Sequence, residues 1–485
     1  MQRTYALMAR TARCLLLPMI LLALAGCADS ELPPELTIHL DEEFSWRDKT
    51  VDSFDAYLQL EDRLFEELDE QIYARNPTGP DYAIDRYSRG SLADPEMRQP
   101  NWNRSFELTS HEARGGVLLL HGLSDSPYSL RAIAERLQQQ GYHVIGPRMP
   151  GHGTAPTGLL DLQWQDMTAV TELAMQHLAQ QVPGQPLHII GYSTGAALAL
   201  DYVLRAHHDT TLQGVSSLVL YSPAIGISPE AVLASWLRRL SHIPGLGSLA
   251  WLDIAPEFDP YKYNSFATNG AEQVRSLTNS VARRIAALAD KASLPPILAL
   301  KSTVDATVSN TAVVDRLLGR LAAGRNEMVL FDINRFAVNR TLLGSDPGPF
   351  TQRMLKDHHL PFTLTLIANS NPDSRSVSAV RKASLSSDPS DEVPLASAWP
   401  PGVFSLSHIA VPFPPEDPLY GEEAPEVPDD LFLGKQAVQG EKGVLKISAD
   451  FLLRLRYNPF YPYLERRTLQ WLQSHTIETK APPTD

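Results

Sequence analysis

The chain has 485 residues, of which 43% are apolar and 20% charged, a balance that excludes small stapled scaffolds, wholesale disorder and multi-pass membrane proteins. A formal charge of −14 argues against a dedicated nucleic-acid binder, and two cysteines cannot build a disulfide framework. Eleven of the 38 prolines fall between Pro372 and Pro428, so that stretch is expected to be long loop and not helix or sheet.

Arg3, Arg10 and Arg13 precede an apolar run from Cys14 to Ala25, the layout of a secretory signal. Twelve helical residues rise roughly 18 Å, too little for a hydrocarbon core of about 30 Å. Leu24-Ala25-Gly26-Cys27 resembles the lipobox of bacterial lipoproteins, which implies cleavage after residue 26 and acylation of Cys27. Losing residues 1–26 removes three arginines and no acid, taking the charge from −14 to −17. Attachment to an anionic bilayer would then rest on acyl chains and not on a basic patch. Ala28, by resemblance to sorted lipoproteins, implies a lipid-anchored protein of the bacterial cell envelope, at the outer membrane facing the periplasm.

Residues 27–80 read as a tether followed by an amphipathic helix. Phe54, Leu58, Phe65, Leu68 and Ile72 recur at helical spacing, and Glu61, Asp62, Glu66, Glu67, Asp69 and Glu70 form an opposite face expected to be solvated. From about residue 81 strand and helix alternate, which predicts a mostly parallel α/β sheet. Gly116–Leu120 is a continuous apolar run of the kind buried on both faces. Asp125 or Ser126 can cap the next helix, Pro127 suits its first turn, and Gly141 can end it. Further strands are expected at His143–Gly146, Leu187–Gly191, Ser216–Tyr221 and Pro296–Lys301. Residues 222–292 break this rhythm, with exposed-looking Trp236 and Trp251 and the aromatics Phe258, Tyr261, Tyr263 and Phe266, and are expected to be a helical cap over a pocket. Residues 81–221 and 293–475 form the two parts of the core, and 476–485 a tail.

The strand at Leu187 runs into Gly191-Tyr192-Ser193-Thr194-Gly195 and then an apolar helix pattern, which is G-x-S-x-G in strand–turn–helix context. A turn there exposes the Ser193 hydroxyl, which needs a base unprotonated near pH 7, hence a histidine. In this motif's chain order an acid and then the histidine follow the serine. His408, in the apolar stretch Phe404–Ala410, is the chosen base, with His358, His359 and His475 as alternatives. Asp305, in the loop leaving the strand at Pro296–Lys301, is the chosen acid, with Glu230 and Asp332 as fallbacks. An oxyanion needs two donors, the Thr194 amide and one from the loop after the first buried strand, assigned to Leu123. His121 reads as structural.

Together with His121-Gly122 and Pro150-Gly151-His152-Gly153, these residues resemble the α/β-hydrolase superfamily, especially capped esterases and monoacylglycerol-lipase-like members. The resemblance runs from about Arg114 to Asp305. The 103 positions between Asp305 and His408 exceed the usual helix and strand, with strand-like runs at Met328–Phe331 and Phe362–Ile367 leaving the last strand open. The resemblance implies hydrolysis of small-molecule or lipid esters through an acyl-serine, with no metal or organic cofactor. A tethered, catalytically inactive shell binding an envelope ligand is the alternative.

Overall fold

The computed structural model describes residues 32–225, 250–288, 294–305, 307–338, 341, 343–389, 391–425, 430–434 and 453–477. Cys27, Glu230 and Trp236 lie outside the described residues. The main strands are β1 (Phe106–Leu108), β2 (Gly116–Leu120), β3 (His143–Gly146), β4 (Leu187–Tyr192) and β5 (Ser217–Tyr221). A separate antiparallel ribbon pairs β6 (Trp251–Asp253) with β7 (Phe266–Ala267). The main sheet resumes with β8 (Ile297–Ser302), β9 (Glu327–Phe331), β10 (Thr363–Asn369), β11 (Ser376–Lys382) and β12 (Asp391–Ala398). Its order is β1-β3-β2-β4-β5-β8-β9-β10-β11-β12, and every pairing from β3 to β10 is parallel.

The continuous apolar runs follow from helices on both faces of the sheet. Along each central strand alternate residues enter opposite cores: Leu118, Ile189 and Ala299 one, Val117, Ile190 and Leu298 the other. The first core is covered by α3 (Trp164–Gln181), α4 (Thr194–Ala206) and α5 (Thr268–Ala287), and α1 (Phe54–Gln71) packs outside α3. The second is covered by α2 (Arg131–Gln139) and the C-terminal α7 (Tyr461–Ile477), while α6 (Gly348–Lys356) lies beside β10 on the first. Among the described residues no helix is long and apolar enough to cross a membrane.

Several expectations change. The proline-rich stretch contains β11 and β12, joined antiparallel to β10. Pro394 is tolerated because β12 is the sheet's outermost strand, where a missing N–H breaks no ladder on its free side. The described part of the supposed tether, from residue 32, packs on the core through Leu36 and Phe44. On α1 the acidic face is not wholly solvated. Glu61 is 3% exposed and accepts from the Ser105 amide and hydroxyl and from Arg148 Nε at 3.2 Å. Fully buried Arg148 also reaches both oxygens of Glu43 and the His152 carbonyl, so this cluster joins the N-terminal segment to the Pro150–Gly153 loop.

Trp251 is buried and not exposed. Of the expected cap, α5 belongs to the layer covering the sheet: Leu277, Val281 and Ile285 enter the first core beside α4. The parallel crossover from β5 to β8 requires such a helix. Neither Asp125 nor Ser126 caps α2, which is preceded by a 3-10 turn at Pro127–Leu130; Asp125 turns toward Lys262 instead.

Candidate active site

Ser193 stands between β4 and α4 with φ 54° and ψ −111°, a left-handed conformation costly for a residue with a side chain. Its neighbours show why the turn is glycine-flanked. A Cβ on Gly195 would run into the Leu120 carbonyl oxygen, and one on Gly191 would sit 2.5 Å from the Gly195 oxygen. β2, β4 and α4 approach too closely for any side chain there. The strain aims the Ser193 hydroxyl into a cavity of about 530 Å³.

Three expected side chains meet at that cavity. Ser193 Oγ lies 3.0 Å from His408 Nε2, and His408 Nδ1 lies 2.9 Å from Asp305 Oδ2. His408 opens a 3-10 turn, His408–Ala410, held between buried Leu406 and Ala410, and its ring packs against Tyr192 at 5.5 Å. Asp305 follows β8, with its side chain wholly buried. Its Oδ1 accepts from the amides of Thr307 and Val308, and Ser309 caps the helical turn beyond. Burial opposes the Asp305 charge, but His408, Lys301 and the Val308 amide outweigh it and hold the carboxyl below its ordinary range. An ionised Asp305 fixes the proton on His408 Nδ1 and leaves Nε2 free to accept the serine proton.

Lys301 was not anticipated. It interrupts the apolar run of β8, is wholly buried, and places Nζ 3.6 Å from Asp305 Oδ2 while donating to the Val308 carbonyl at 2.7 Å. Burial pulls it down to about 8, against the opposing pull of Asp305. The only sequence signal was a lysine inside a strand otherwise buried on both faces.

Leu123 and Thr194 line the same cavity. Thr194 is the first residue of α4, so its amide has no partner within the helix, and its place beside Ser193 suits an oxyanion donor. His121 is buried away from this chemistry. Its Nε2 accepts from the Met149 amide at 3.0 Å, so Nδ1 carries the proton and donates to the Gly122 carbonyl at 2.9 Å. Burial holds it neutral. The other candidates are engaged elsewhere. Asp332 pairs with Arg335, His358 and His359 lie exposed after α6, and His475 bonds the Trp471 carbonyl. Of the expected cap, Leu252, Lys262, Tyr263, Phe266 and Val274 line the cavity. Among the described residues no cluster of histidine, cysteine and carboxylate could hold a metal ion.

Residues 111–332 match the model of the family described as Hydrolase_4, serine aminopeptidase, S33. That span includes Ser193 and Asp305 and ends before His408. The thermostable monoacylglycerol lipase of Bacillus sp. (strain H-257) is 36% identical over 94 residues, which are 19% of this chain and 36% of that protein. The putative 2-succinyl-6-hydroxy-2,4-cyclohexadiene-1-carboxylate synthase of Haemophilus influenzae is 26% identical over 153 residues, 26% of this chain and 58% of that protein. The chain thus spans only part of the length of the curated relatives it matches. The monoacylglycerol lipase structure from Paleococcus ferrophilus aligns with 47% of this chain and 88% of its own, at 19% identity and a TM-score of 0.37. The sheet order and the family match give the chain the α/β-hydrolase fold.

Proposed function

We propose that the protein is a serine hydrolase of carboxylic esters with an apolar acyl part, acting through an acyl-serine. The observation that carries the reading is the hydrogen-bonded chain Ser193–His408–Asp305, with the serine open to an apolar-walled cavity. Ser193 Oγ attacks the ester carbonyl as its proton passes to His408 Nε2. Asp305 stabilises the imidazolium, and the amides of Leu123 and Thr194 receive the oxyanion. The C–O bond breaks, His408 returns the proton to the leaving alcohol, and water repeats the sequence to release the acid.

The matched family's name raises aminopeptidase action as a second reading. Such an enzyme must seat a substrate ammonium, whereas Lys262, Arg454 and Arg456 line this cavity and would repel it, which favours the ester. A membrane tether through lipidated Cys27 belongs to the same proposal and rests on the signal-like residues 1–27. The decisive experiment is labelling with a fluorophosphonate probe. Wild type should label and Ser193→Ala should not; equal labelling of both removes Ser193 as the nucleophile.

A further inference from the structure

In a chain of formal charge −14, the lysine, arginine and carboxylate side chains that line the candidate site are, among the described residues, all cations. Lys262, Arg454 and Arg456 line the cavity, and among the described residues no carboxylate does. Two of the three are held by acids in the wall behind them. Lys262 Nζ lies 3.2 Å from Asp125 Oδ2, and Arg456 Nη1 lies 3.4 Å from Asp259 Oδ2. Asp125 and Asp259 are themselves buried, and Asp259 is further tied by the Tyr420 hydroxyl at 2.5 Å. Arg454 differs: it is exposed, and among the described residues no carboxylate pairs with it. Among the described residues Arg454 is thus a cavity-lining cation that meets solvent with no acid behind it.

Most of the remaining wall is apolar, including Leu123, Leu252, Phe266, Val274, Val308 and Phe413. The site thus offers a greasy surface beside Ser193 and a fixed cationic edge. A neutral ester would leave that edge facing water and gain nothing from it. An anion on the substrate would instead find a preorganised partner, since Asp125 and Asp259 already hold two of the cations in place. An anion received by exposed Arg454 lies where the cavity meets solvent, and in acyl-serine chemistry the half of the ester that departs first is the alcohol.

We propose that the enzyme selects esters whose alcohol half carries an anionic group, phosphate or carboxylate, received at the cavity mouth by Arg454 with Arg456 and Lys262 behind it. The inference rests on the ester-hydrolase reading and narrows its substrate class.

The test compares kcat/KM for three butyryl esters, of glycerol, of glycerol phosphate and of glycolate. All are short enough to stay monomeric, so an attraction of the protein to anionic surfaces cannot mimic the result. Wild type should prefer at least one anionic ester over the neutral one by on the order of ten-fold, and which anion wins identifies its chemistry. The preference should fall on the order of ten-fold in Arg454→Gln, be largely kept in Arg454→Lys, and shrink as salt rises from about 0.02 to about 0.5 M. Anionic esters no better than the neutral one, or a preference unmoved by Arg454→Gln, overturn the proposal while Ser193-dependent hydrolysis of the neutral ester leaves the parent reading standing. No hydrolysis of any ester together with no fluorophosphonate labelling overturns both.

Discussion

Lys301 offers a quantitative check on the reasoning. Its ammonium lies 3.6 Å from Asp305 Oδ2, the oxygen that meets His408 Nδ1 at 2.9 Å, so the cation sits no more than about 6.5 Å from the imidazole. At an effective dielectric constant of about 20, two unit charges at that separation repel by about 2.5 kcal/mol, so the Lys301 ammonium opposes the positive charge that the imidazole takes up with the serine proton. Lys301→Met removes that repulsion at nearly constant volume and should raise kcat at pH 7 by on the order of ten-fold.

Stability should respond as well. The folded-state value of about 8 lies below the ordinary lysine value of 10.5, so the unfolded chain binds the extra proton more readily between the two. Wild-type stability should accordingly rise from about pH 8 to 10.5, the penalty for the buried ammonium being fully present below that window. Lys301→Met should lose that rise and gain up to about 3 kcal/mol at pH 7, since Asp305 keeps His408 and two amides as partners. The assays are kcat on a soluble ester at pH 7 and thermal melts at pH 7 and 10. An unchanged kcat in a folded variant would show that Lys301 is electrostatically remote from the imidazole.

Asp305→Asn should lower kcat by on the order of 10⁴-fold by destroying the orientation and charge that serve His408, read by steady-state kinetics beside an unchanged circular dichroism spectrum. Arg148→Met strands Glu43 and Glu61, the latter with a carboxyl already raised by burial, and should cost about 3–5 kcal/mol in denaturant unfolding. Gly195→Ala forces a side chain against the Leu120 carbonyl and should cost more than about 3 kcal/mol or abolish soluble expression, whereas Gly184→Ala, with open space at its Cβ, should cost about 1 kcal/mol from its positive φ alone.

The parallel strands were legible because helices on both faces impose continuous apolar runs, and β2 and β3 carry the expected boundaries. The meeting of Ser193, Asp305 and His408 was legible because the motif imposes a chain order and few histidines follow β8. The strands β11 and β12 were not. An antiparallel extension at a sheet's rim has one face or edge in water, so serines, charges and Pro394 replace the apolar run, and composition alone imitates a loop. Glu61 was read as solvated because helical periodicity ranks faces by hydropathy and cannot see Arg148, 87 positions away, arriving to neutralise it. The cations of the cavity mouth come from two distant segments, around residues 262 and 455, whose proximity only the fold creates.

The long excursion between β8 and His408 has a consequence for how the protein comes into being. As the ribosome releases the polypeptide, the serine and its aspartate emerge with the central strands, but the imidazole follows only after four further strands have been made. Until then the molecule lacks both the imidazole and α7, the C-terminal helix that covers the second core. Under the proposed chemistry the site is complete only once the final sixth of the polypeptide has joined the rest.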